Sequence, residues 1–291
     1  MGSMAKEKMK KKKGEKITPA ILWKQRWLLV MSVPFVIWLI IFKYIPLWGW
    51  TMAFQEVKPA TFALPIWERT WVGFQNFTDA FKDRLFTQTL INTLGVSFLD
   101  IAVGTIAAIA FAVLLNEMFF MKFKKVTQTI SYLPHFLSWI IVTGILHDAL
   151  SGTGIINELL VNFGILDQPL NFFAYPKYFW PIVAFANVWK ETGWNAIIYL
   201  SAITAIDPSL YEAANMDGAG RWARIKYVTL PGIKPTIMIL LLMNVGNVLN
   251  AGFEIQYLLG NGLVQSVSQT IDIYVLKWGI SQNDFSIGTA G

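Results

Sequence analysis

The 291-residue chain has no cysteine, which excludes disulfides and thiolate chemistry. It has two histidines, His135 and His147, which stand apart, and there is no H-E-x-x-H spacing, so no metal site is expected. No G-x-x-x-x-G-K-[ST] segment occurs, so the chain has no P-loop to cradle nucleotide phosphates. Charge is also scarce. Asp, Glu, Lys and Arg make up 14% of residues, where an ordinary soluble domain carries roughly a quarter. No internal repeat of about 20–50 residues is visible.

What fills the space is apolar. Hydrophobic residues account for 55%, with 13 Trp and 21 Phe, a composition suited to membrane spans flanked by interfacial aromatic belts. Length alone would suggest one or two soluble domains, but the apolar runs overrule it. Trp27–Phe42 continues past Lys43 to Trp50, long enough to cross a hydrocarbon core of roughly 30 Å. It lacks a small-residue cleavage pattern, which favours an uncleaved first span over a signal peptide. Further spans are predicted at 89–115, 126–146, 178–206 and 232–253. Phe285–Gly291 reads as the first turns of a sixth span, apparently truncated. The expected fold is all-α: a polytopic helical bundle over 27–291 behind a basic tail at 1–26.

Charge sets the expected topology. The tail holds nine Lys/Arg against Glu7 and Glu15, and it abuts a span without interleaved aromatics, so contact with anionic lipid is expected and nucleic acid is not. With the amino terminus in the cytoplasm, one side of the membrane collects sixteen basic residues and the other six. The positive-inside rule then puts the loop Asp207–Pro235 in the cytoplasm. The opposite-side segments 51–88, 151–177 and 255–284 are too long for tight turns and are expected to be partly ordered.

Within that loop Asp207-Pro208 suits a helix start, with Asp as N-cap and Pro at the first helical position. Gly218 and Gly220 permit a sharp bend. Arg221–Val228 reads as a second short helix, and Pro231 and Pro235 are expected to break the entry to span five. The loop supplies Glu212-Ala213-Ala214, then Asp217-Gly218-Ala219, then Leu230-Pro231. This pattern resembles the "EAA" loop of the permease subunits of ATP-binding-cassette importers. Ile225 departs from it, since a Phe is usual there. The preceding WKETGWNAIIYLSAITAIDPSL resembles the LplB-type branch of carbohydrate importers, related to the maltose-importer membrane subunits.

The resemblance implies a type I importer permease fold of six spans in a bacterial cell membrane. It implies ATPase coupling through Glu212, Ala213, Ala214, Asp217, Gly218 and Ala219. The implied partners are a second homologous permease, two ATPase subunits or domains and an extracytoplasmic sugar-binding protein. This chain itself would bind no cofactor, with ATP and Mg used by the ATPase. The implied cargo is an oligosaccharide moved by alternating access, although importers of other solutes share the coupling motif.

Candidate path residues come from polarity at membrane depth. Lys190 and Glu191 sit mid-span, where a charge costs about 2.5–3.5 kcal/mol on insertion scales, so they are expected to face the interior. Adjacent helical residues point about 100° apart, which argues against a direct Lys190–Glu191 pair. Trp189, Trp194 and Asn195 offer stacking faces and an amide. Asn244, Asn247 and Asn250 lie along one drifting face of span five. Interhelical hydrogen bonding is the plainer reading of the asparagines, and helix packing that of Asp100. Small residues Gly95, Gly104, Ala107, Ala108 and Ala110 permit close helix approach. An ATP-independent transporter or channel with Asp100, Lys190 and Glu191 as ion relay, and an integral-membrane enzyme, are the competing classes.

Overall fold

The computed structural model describes residues 23 and 25–291; most of the basic tail lies outside the described residues. Among the described residues the chain is mostly helical, with a single Gln55–Trp71 bridge and no strand. They fall into two compact units that divide between Met52 and Ala53.

The first unit is one apolar helix. α1 (Arg26–Leu39) contains Pro34 and continues into a wide turn at Ile40–Tyr44 and a tighter one from Ile45. None of its residues from Arg26 to Tyr44 is buried. A helix that is apolar all round and unburied suits lipid.

The second unit carries α2 (Gln75–Lys82), α3 (Arg84–Asn116), α4 (Met121–Tyr132), α5 (Trp139–Leu150), α6 (Ile155–Asn162) and α7 (Pro176–Thr204). After these come α8 (Pro208–Met216), α9 (Arg221–Arg224) and α10 (Leu230–Gly246). The short helices α11 (Phe253–Leu259), α12 (Gln265–Ser268), α13 (Ile271–Tyr274) and α14 (Phe285–Ala290) complete it. Four helical stretches are long and apolar enough to cross a membrane: Arg26–Phe54, Arg84–Asn116, Trp139–Asn162 and Arg221–Gly246. α7 is comparably long at 29 residues but more polar, and it packs along α3 as the central pair.

Close approach between these helices rests on glycine. A Cβ on Gly95 would lie 2.5 Å from the Trp180 ring, and one on Gly193 would collide with the Ser131 carbonyl. Gly104 has open space instead. Two apolar clusters flank this line, one around Phe179, Val183 and Ile255, the other around Ala108, Tyr199 and Ile233.

Three expectations about the spans need correction. The stretch 126–146 is not one helix: it breaks at Leu133–Ser138, where Pro134 cannot continue the ladder and Ser138 caps α5 by accepting from Ile141 N–H. Pro231 and Pro235 do not break the entry to span five, and Arg221–Val228 is not a separate helix. The helix runs without interruption from Arg221 to Gly246, because a π turn at Ile225–Thr229 shifts the hydrogen-bond register where Pro231 lacks its N–H. At the far end this helix stops at Gly246 rather than near 253. Asn247 and Asn250 instead bond back three residues, to the carbonyls of Asn244 and Asn247, in tight turns.

The long connecting segments are ordered, as their aromatic content suggests. Asn157, 1% exposed, donates to the carbonyls of Ser151 (2.6 Å) and Leu170 (2.8 Å) and accepts from Leu170 N–H (2.8 Å). Residues 266–271 are fastened to the long helices. Asn92 donates to the Ser266 and Gln269 carbonyls, Trp180 to the Val267 carbonyl, and Ile271 N–H to Thr93.

Candidate functional site

The loop after α7 forms a helix–turn–helix. Asp207 caps α8 by accepting from Ser209 N–H at 2.9 Å, with Pro208 in the first turn. Hydrogen bonds from the backbone and hydroxyl of Ser209 hold the Asp207 carboxyl below its ordinary pKa. The other end closes in a Schellman motif: Ala219 N–H reaches the Ala214 carbonyl (2.9 Å) and Gly218 N–H that of Asn215 (3.0 Å). Gly218 sits at φ +74°, a left-handed conformation for which glycine carries no steric cost.

Three ties fasten this turn. Tyr211 bonds Thr229 (3.0 Å), Arg224 donates to Asn215 (2.8 Å), and Arg221 pairs with Glu117 (3.2 Å) while lying over Phe119. Glu212, Ala213, Asp217 and Gly218 remain exposed, with Ala214 and Ala219 half-buried. Beside them Met216 is 88% and Trp222 83% exposed, which leaves a firm, partly apolar surface uncovered by the described residues.

A second constellation forms where α7 meets the break after α4. Lys190, only 5% exposed, donates to the His135 carbonyl (2.7 Å) and to Glu191 (3.1 Å), and lies 5.2 Å from the Trp139 ring centre. Lys190 and Glu191 therefore do pair, contrary to the expectation from helical angles. Both side chains are long enough to curl toward the same gap, left by the helix break. Glu191 also reaches His135 Nδ1 (2.7 Å), and His135 stacks on Trp194 with rings 4.5 Å apart and 3° from parallel.

His135 is the residue that sequence reasoning missed. It lies 56 positions from Glu191, and the only local signal was the Leu133-Pro134-His135 break. Trp189 points elsewhere, bordering apolar recesses with Leu146 and Phe185.

Asn195 and Asn244 meet in a third place. Together with Asp100, Gly104 and Tyr199 they line a cavity of about 120 Å³ between α3, α7 and α10. Asp100 accepts from Asn187 (2.8 Å) through one oxygen, and its other oxygen is buried without a partner among the described residues. Asn247 and Asn250 do not share this face. Both are exposed, and Asn247 donates to the Met243 carbonyl. The asparagine row of the sequence is thus divided by the end of α10.

An exposed surface on a fastened loop, with charged and amide groups gathered between long apolar helices, describes the membrane subunit of a transporter. Residues 100–290 match the family of binding-protein-dependent transport system inner membrane components, and the chain belongs to that family. It is 41% identical over 282 residues to YteP of Bacillus subtilis strain 168, a polygalacturonan/rhamnogalacturonan transport system permease, covering 97% of this chain and 86% of that one. Protein LplB of the same organism is 39% identical over 93% of this chain and 84% of its own. The crystal structure of a bacterial transporter for import of the acidic polysaccharide alginate superposes with a TM-score of 0.84, at 36% identity over 93% of this chain and 90% of that one.

Proposed function

We propose that the chain is the permease subunit of an ATP-driven importer for oligosaccharides, coupled to a separate ATPase through Glu212–Ala219. The observation that carries the coupling is the loop itself. α8 is capped at both ends and tied to Thr229 and Arg224, so a push on its exposed face is transmitted to α10 rather than absorbed. Exposed Met216 and Trp222 supply apolar anchors for a partner groove. Relatives that carry polygalacturonan, rhamnogalacturonan and alginate support a carbohydrate cargo.

In this reading the amino terminus and the loop lie in the cytoplasm. A second permease completes the path, and two ATPase subunits or domains bind ATP and Mg. An extracytoplasmic sugar-binding protein delivers the cargo; the alginate transporter has been crystallised with its saccharide-bound periplasmic protein. Lys190, Glu191, Trp194, Asn195 and Asn244 face the path, Trp189 flanks it, and Asn247 and Asn250 stand at the end of α10. Inward- and outward-facing states must lie within a few kcal/mol for such coupling to switch them.

The test is reconstitution of the complex in liposomes with its ATPase and binding protein. Saccharide-stimulated ATP hydrolysis and uptake are expected, and Glu212→Lys should abolish both while ATP still binds. Ion-driven uptake by this chain without an ATPase would sink the proposal.

A further inference from the structure

Asn187, Glu191, Trp194, Asn195 and Ile198 recur at helical spacing along α7 and keep part of their surface uncovered, whereas Ala186, Gly193 and Ala196 on another side are buried. Trp194 is the aromatic member of that stripe and is 41% exposed. Its ring is nevertheless held. It lies flat against the His135 imidazole, with centres 4.5 Å apart and planes 3° from parallel, and Phe136 meets it edge-on at 5.9 Å. A half-exposed side chain without such a backing samples several rotamers, and ordering it on each encounter with a ligand weakens binding. A ring ordered beforehand avoids that loss.

His135 is itself fixed by two successive residues of α7. Pro134 ends the α4 ladder in a tight turn at Leu133–Phe136, and the His135 carbonyl there accepts from Lys190 Nζ at 2.7 Å. The ring is set separately, with Nδ1 2.7 Å from a carboxylate oxygen of Glu191. Backbone and imidazole are both tied, so the plane offered to Trp194 has one orientation. The side chain joins two properties that few others combine: a flat face for the indole and a ring nitrogen for the carboxylate. Phenylalanine would keep the first alone, and glutamine the second alone.

We infer that His135 is a positioning residue for the cargo path: its imidazole, aligned by Glu191, backs the Trp194 ring and keeps the rest of that ring turned toward the saccharide. The inference rests on the carbohydrate reading above and adds the residue that holds the stacking surface in place. His135 acts through Trp194, so its contribution disappears when the indole does.

The test is trigalacturonate uptake by the complex reconstituted with its ATPase and binding protein, joined to fluorine NMR of the same complex labelled with 5-fluorotryptophan. The Trp194 line is assigned by its loss in Trp194→Leu. His135→Gln should lower uptake roughly three- to tenfold, the scale of one lost ring pair, and split the Trp194 line. His135→Phe should keep most of the uptake and a single line. In the W194L background H135Q should lower uptake no further. A merely structural role, in which the Glu191 bond is what matters, gives the opposite order, with glutamine harmless and phenylalanine damaging, and overturns the inference. So do equal uptake by wild type and H135Q, an undiminished effect of H135Q in W194L, or loss of assembly in either His135 variant. A wild type that takes up no trigalacturonate fails the oligosaccharide reading instead, and the fluorine line then decides by itself whether His135 holds Trp194.

Discussion

Replacing Gly218 separates two explanations of why the loop after α7 carries glycine there. The residue sits at φ +74°, and a Cβ built on it meets nothing within 4 Å. Within this chain, then, Gly218→Ala costs only backbone conformation, about 1–2 kcal/mol for a left-handed L-residue. That lowers the closed-to-open ratio of the Schellman loop by a factor of roughly 5–30. Asparagine tolerates the left-handed region better than alanine, so Gly218→Asn should cost less despite its larger side chain. The assay is saccharide-stimulated ATP hydrolysis by the reconstituted complex, with ATPase-subunit binding measured alongside. Coupling should rank glycine, then asparagine, then alanine. If asparagine is as damaging as alanine or worse, glycine is needed for contact with the partner, and the backbone argument is refuted.

Two further outcomes are expected. Glu191→Gln removes the anion facing Lys190 and His135, and should destabilise by roughly 1–3 kcal/mol, between the values for exposed and fully buried pairs, because Glu191 is 31% exposed. Lys190→Met combined with it should recover part of that loss in thermal unfolding of the purified complex; additivity within about 0.5 kcal/mol would show that the two charges do not interact. Gly193→Ala drives a methyl group into the Ser131 carbonyl and should cost about 1–3 kcal/mol by overpacking, read as a lower unfolding temperature. An unchanged temperature would mean that α4 and α7 do not meet there.

Much of this molecule is legible from its sequence, because the signals are local. Asp207-Pro208 and Gly218 announce the two ends of α8, since a cap and a left-handed turn depend on a few consecutive residues. Apolar runs announce most of the long helices. The errors arose where one local rule met another. Pro231 signals a break, yet a π turn ending two residues earlier absorbs it. The Asn244, Asn247 and Asn250 spacing signals one helical face, yet the helix ends between the first two.

The sequence by itself determined that the chain is a helical membrane protein with a capped, polar loop bearing the Glu-Ala-Ala pattern, because composition, periodicity and capping are properties of neighbours along the chain. Only the tertiary structure decided which polar groups meet. His135 reaches Glu191 across 56 positions because Pro134 opens α4 beside α7. Asp100, Asn195 and Asn244 share one cavity while Asn247 does not, and the Gln256 amide is buried without a hydrogen-bond partner among the described residues. Such meetings depend on helix crossings and breaks, whose geometry is set by packing partners distant in sequence.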